Sequence, residues 1–145
     1  MSKKYAIIAL TGIAAVLAAA PSSKAAVTAA NNYKQGKVYK ITPKSKPFKN
    51  KYVKAPTYNK KTRTYFTIRS YMEKFQKAKK GTLVLKKGTY KITNTIQVPS
   101  NVTIILEKGA KIVKSNQTGT KKMKAATTIF QLIKPSNREK SNVYG

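Results

Sequence analysis

Apolar positions along this chain fall into four stretches with different rhythms. Tyr5 to Ala20 is a nearly unbroken apolar run, and between Ala26 and Phe66 neither a helical nor an alternating period survives. From Thr67 to Lys80 the spacing changes: Ile68, Tyr71, Met72, Phe75 and Ala78 recur at helical intervals, while Arg69, Glu73, Lys74, Lys77 and Lys80 fall mostly on the other side. That pattern predicts an amphipathic helix over residues 67–80. Thr67 is placed to cap its start and Gly81 to close it in a left-handed conformation, and Lys77, Lys79 and Lys80 suit the negative end of the helix dipole. A basic amphipathic helix can also lie on a membrane surface. Here its apolar face ends directly at a strand pattern, so the core of that pattern is the expected partner.

After Gly81 come short apolar runs separated by turn residues, predicting strands at 83–85, 90–92 and 96–98. The cycle then begins again: Thr82 to Gly88 read T-L-V-L-K-K-G, and twenty-one positions later Thr103 to Gly109 read T-I-I-L-E-K-G. A fixed period of this size marks stacked supersecondary units, each too small to bury its own apolar face. In the second cycle, residues 104–106 match the first strand, 111–113 the second and 129–133 the third. Pro135-Ser136-Asn137 repeats the corner Pro99-Ser100-Asn101, and Asn142-Val143 echoes Asn101-Val102. A polar insertion, Ser115 to Ala125, separates the second and third strands of that cycle. Insertions in such stacks bulge from one face, often the binding face. Gly88 and Gly109 are expected to supply the backbone freedom of the corners.

These residues carry a resemblance. The helix, G-T-L-V-L-K-K-G-T-Y-K-I at 81–92 and I-Q-V-P-S-N-V-T-I-I-L at 96–106 resemble the start of the right-handed parallel β-helix, or pectate-lyase-like, superfamily, over residues 67–145. The resemblance implies an all-β fold: the start of a parallel β-helix solenoid, with an N-terminal capping helix and its first two coils. The enzymes of that superfamily place Asp residues, or Asp ligands to calcium with a basic partner, on later coils. This chain has no Asp, so no catalytic residue carries over. Stable stacks generally need three or more units and a cap. The chain is therefore expected to be the front of a longer protein. The competing expectation is a small complete domain whose open end is covered by the basic segment or by a second copy.

Composition narrows the chemistry. Lys and Arg number 31 against Glu73, Glu107 and Glu139, and there is no Asp, His or Cys. Paired carboxylates, histidine bases, thiolate nucleophiles and the usual Zn and Ca ligand sets are excluded or reduced to a single glutamate. No catalytic residue, metal or cofactor is implied. Glu73 is expected to be a helix-surface partner of Lys77 at i,i+4, and Glu107 a solvated turn residue. At the start, Lys3 and Lys4, the apolar run and Ser23-Lys24-Ala25 have the order of a secretory signal peptide over residues 1–25. The run is shorter than the about 20 predominantly apolar residues of a spanning helix. Removing Lys3, Lys4 and Lys24 from 31 basic residues leaves 28 against three acids, a charge of +25.

Residues 26–66 hold eleven Lys or Arg, no acid, five Tyr and three Pro, which reads as a disordered basic linker or arm. Interleaved aromatic and basic residues can stack on bases or sugars, but a charged solvated tail has the same composition. Two readings of function follow. The first is a secreted or wall-associated bacterial module, non-catalytic, binding teichoic acid, acidic polysaccharide or another anionic polymer. It has no specific nucleic-acid partner and no stable membrane insertion after leader cleavage. Its candidate binding residues are Lys44, Lys46, Lys49, Lys51, Lys60, Lys61 and Arg63 in the arm and Lys121, Lys122 and Lys124 in the insertion. The second is the front of a polysaccharide lyase or glycoside hydrolase whose active site lies on further coils.

Overall fold

The computed structural model describes residues 36–133 and, before them, the backbone of residues 6–11 and 14–18. The expected boundary after Ala25, residues 26–35, and the repeated corner at 135–137 with Asn142 lie outside the described residues. Strands dominate: β1 (Ala6–Thr11), β2 (Ala14–Ala18), β3 (Val38–Ile41), β4 (Gly81–Leu85), β5 (Gly88–Ile92), β6 (Ile96–Val98), β7 (Val102–Leu106), β8 (Ala110–Lys114) and β9 (Phe130–Leu132). Two helices interrupt them, a single turn α1 (Asn50–Val53) and the long α2 (Arg63–Ala78). The fold is mainly β.

The repeat appears as three parallel strand pairs. β4 pairs with β7, β5 with β8 and β6 with β9, so each expected second-cycle strand lies beside its first-cycle counterpart. Leu83, Leu85, Tyr90, Ile92, Ile96, Val98, Val102 and Ile104 are buried between the sheets. α2 packs across β4, β5 and β6 with Ile68, Met72 and Phe75 at most 2% exposed. Burial of each such side chain contributes about 1.5–3 kcal/mol. The registers refine the repeat. Gly81 pairs with Val102, an offset of 21, but Gly88 pairs with Ala110, an offset of 22. Gly109 is not the partner of Gly88; it is an extra corner residue, at φ 85°. A one-residue slip exchanges the two faces of a strand. The extra residue therefore places Ile112, rather than Lys111, opposite Tyr90.

The helix differs from its predicted bounds at both ends. It starts at Arg63, four residues early, because the Thr62 hydroxyl donates to Thr57 O at 2.8 Å and accepts from Asn59 N–H at 2.9 Å, fixing the turn that enters the helix. Thr67 is no cap; it lies inside the helix and its hydroxyl donates to Ser45 O at 2.9 Å. At the other end Lys79, with φ 63°, takes the left-handed position. Gly81 instead begins β4 and is held to glycine by packing, since a Cβ there would run into the Phe75 ring.

The basic segment is not a disordered arm over the residues described. From Gly36 it is folded against α2 and β4, and Ile41, Tyr52, Tyr65 and Phe66 belong to the core. β3 runs parallel to β4, with Val38 opposite Thr82 and Ile41 opposite Leu85. Phe48 N–H donates to Ser70 Oγ at 2.8 Å, and the buried Tyr90 hydroxyl donates to Ile41 O at 2.9 Å and Lys86 O at 2.7 Å. The segment has no period because Ile41, Tyr52, Tyr65 and Phe66 are each buried by different neighbours, while Val38, Phe48 and Val53 stay exposed. Nor does it cover the far end of the stack: β3 lies beyond β4, whereas β7 pairs antiparallel with β1, itself in a hairpin with β2.

Candidate anion-binding groove

Where β3, the loop before α1 and the last turns of α2 meet, a groove of about 510 Å³ opens. Its floor is aromatic: Tyr39, Phe48 and Phe75. Its rim is Lys37, Lys49, Lys74, Lys77 and Lys80, and among the described residues no carboxylate lines it. Local structure explains the assembly. Lys37 and Tyr39 are two residues apart at the start of an extended strand and so share a face, and the helix ends here, where its dipole favours cations. The rings are tilted against one another. Tyr39 and Phe48 have centroids 6.2 Å apart at 67°, and Phe48 and Tyr71 are 5.8 Å apart at 50°. Burial, reinforced by Tyr39, raises the Tyr71 pKa.

Phe48 is 46% exposed, an unusual position for a phenylalanine in a folded loop. Lys74 Nζ stands 3.9 Å from its ring centroid and 5.4 Å from that of Tyr39, and Lys37 Nζ is 5.8 Å from Tyr39. The Lys37 and Lys74 ammonium groups therefore rest on aromatic faces.

Beside the groove lies the buried carboxylate of Glu73, 4% exposed. It pairs with Lys77 at i,i+4 as expected, but from a buried position rather than on the helix surface. The Tyr52 hydroxyl donates to Oε2 and Lys51 Nζ to Oε1 at 2.8 Å, while Lys49 and Lys77 stand 4.0 Å away. Burial pushes its pKa up, but the hydrogen bonds from Lys51 and Tyr52 and the charges of Lys51 and Lys49 outweigh it and hold the carboxyl below its ordinary value. This hub fixes α1 to α2 and so positions Phe48 and Lys49. Glu107 is half-buried at the β7–β8 corner, and its charge adds to burial in pushing Tyr90 up to about 12.

The sequence-predicted residues divide among three places. Lys49 reaches the groove and Lys51 the Glu73 hub. Lys44 and Lys46 are exposed in the loop after β3, and Arg63 is spent on that loop, its guanidinium donating to Pro43 O at 3.3 Å. The insertion does not bulge freely. It folds back on residues 57–63: Asn59 Nδ2 donates to Thr118 O and Lys61 Nζ to Gln117 Oε1, each at 2.9 Å, and Thr118 is buried. Lys60, Lys61, Lys121, Lys122 and Lys124 are exposed around this clasp. Sequence reasoning missed Lys37, Tyr39, Phe48, Lys74, Lys77 and Lys80 as a site. The signal was the alternation of Tyr and Lys, which a solvated tail shares. Among the described residues no helix is long and apolar enough to cross a membrane. Comparison with protein-family models, with curated proteins and with solved structures finds no match to this chain.

Proposed function

We propose that this chain is the start of a right-handed parallel β-helix, exported from a bacterial cell with residues 1–25 as its leader, and that it is a non-catalytic module holding an anionic cell-surface polymer such as teichoic acid or acidic polysaccharide. The groove carries the reading: five lysines converge on an aromatic floor with no lining carboxylate among the described residues. The three parallel strand pairs and the helix across the first strand of each support the β-helix part. Phosphate and carboxylate binding by exposed ammonium groups is largely electrostatic, so affinity falls with salt because each counterion released on binding gains less entropy in a saltier solution. Deleting residues 26–66 does not test this, because it removes Ile41, Tyr52, Tyr65 and Phe66 from the core. The test is titration of the full chain with wall teichoic acid and polygalacturonate from low to physiological salt. Tight binding at low salt that weakens steeply is expected; no binding, or salt-insensitive binding, would contradict it.

The second reading, the front of a polysaccharide lyase or glycoside hydrolase, is favoured by a different observation. Among the described residues β8 and β9 have no strand on their outer edges, and with β1 taken from β7 as part of the leader, further coils can add there. Turnover of polygalacturonate by this chain, abolished in Glu107→Gln, would contradict the non-catalytic reading and place the chemistry on these coils.

A further inference from the structure

We propose that the groove is a saccharide subsite: it seats one acidic sugar unit of the polymer, ring face on Phe48, with the sugar carboxylate taken by Lys74 as that ammonium leaves the Phe48 ring. The proposal rests on the polymer-binding reading above and adds the chemistry that the groove selects. A surface built only for charge needs lysines on flexible stems and nothing beneath them. Here a phenylalanine, 46% exposed, lies open beside a cavity of about 510 Å³, and Lys74 Nζ sits 3.9 Å from its centroid. A cation over an exposed ring is held weakly. A carboxylate entering the groove offers the ammonium a stronger partner, and its departure uncovers the ring face. The apolar face of a pyranose can then cover Phe48, while Lys37, Lys77 and Lys80 remain for neighbouring anionic units.

A polyol phosphate brings anions without a ring, so it gains nothing from Phe48. A nucleic acid brings both, but stacking of successive bases uses rings that present successive faces along a strand. These rings are tilted at 50° and 67° to Phe48, so they do not present successive parallel faces. Among the described residues no arginine lines the groove to grip phosphate with a two-pronged fork.

The experiment titrates the full chain, and its Phe48→Ala, Phe48→Trp and Lys74→Gln variants, with three probes at one low salt concentration: a uronic-acid oligosaccharide, linear polyphosphate and oligothymidylate. Circular dichroism confirms that each variant is folded. Phe48→Ala is expected to weaken the uronate about tenfold and to leave polyphosphate unchanged. Phe48→Trp keeps the ring and keeps uronate binding, with a shift in tryptophan emission that polyphosphate does not produce. Lys74→Gln weakens uronate and abolishes the contrast between the two anions. Should Phe48→Ala weaken both anions equally, or neither, the subsite is refuted while the polymer-binding reading stands. Oligothymidylate bound more tightly than the uronate, and lost in Phe48→Ala, would assign the groove to nucleic acid and overturn the proposal. If no probe binds, the polymer-binding reading itself fails.

Discussion

Replacing Glu73 with Gln removes the one carboxylate that ties α1 to α2, and the structure sets the size of the effect. The Tyr52 hydroxyl is buried and donates to an ionised acceptor, a bond worth about 1.5–3 kcal/mol. Gln still accepts that bond as a neutral amide, so about 1 kcal/mol of it is lost. Lys51, Lys49 and Lys77 are 52, 36 and 68% exposed, so solvent reduces each ion pair to well under 1 kcal/mol. Losing all three adds about 1 kcal/mol. The total, about 2 kcal/mol, lowers the melting temperature by roughly 10 °C for a domain of this size. The dependence on pH has a definite sign. Glu73 is held below its ordinary pKa in the folded chain, so its contribution is complete above the unfolded carboxylate value of about 4.3 and is lost as pH falls through the folded value. Thermal melts followed by circular dichroism at pH 7, 5, 4 and 3 should show a gap between wild type and Glu73→Gln that closes below about pH 4.3. Equal melting temperatures at pH 7, or a gap that stays constant down to pH 3, would refute the hub.

Tyr90→Phe should cost about 1–2 kcal/mol in urea denaturation, since two carbonyls lose the buried hydroxyl. Because burial pushes Tyr90 up to about 12, the stability it adds is complete below pH 10 and lost between about pH 10 and 12; Tyr90→Phe should lose less over that range. Gly81→Ala should cost about 1–3 kcal/mol, since its methyl group meets the Phe75 ring; an unchanged denaturation midpoint would show that the ring has room to move. Intact mass of the exported protein should give Ala26 as the first residue, and a secreted chain that retains Met1 would contradict the leader.

The strands were readable because their apolar runs repeat and strand stacking needs little more than that repetition. The second register was not. Gly88 and Gly109 match in sequence, yet the longer corner through Glu107 and Lys108 absorbs Gly109, and only packing of Ile112 beside Tyr90 selects the offset of 22. The basic segment was opaque for another reason. Ile41 is buried against the strands, Phe66 packs on Tyr52 and Tyr58, and Tyr90 reaches in from β5, so no local period records the packing. Glu73 looked like a surface residue because helical spacing cannot show Lys51 and Tyr52 arriving from twenty-two and twenty-one positions away. The groove combines residues 37–39, 48–49 and 74–80, three stretches that come together only when β3 docks beside β4.

The groove and its subsite depend on the two cycles stacking in the registers described, and the absence of cysteine makes that directly measurable. Thr89 and Lys111 are opposite one another in the β5–β8 pair and both are exposed. Neighbouring parallel strands lie about 4.8 Å apart, within disulfide reach for side chains on one face. Thr89→Cys with Lys111→Cys, oxidised in the folded full chain and read by intact mass and non-reducing electrophoresis, should close rapidly into an intramolecular disulfide. Thr89→Cys with Ala110→Cys, whose side chains point to opposite faces, should remain largely reduced. Rapid closure of the second pair and not the first would contradict the register, and closure of neither would contradict the stack.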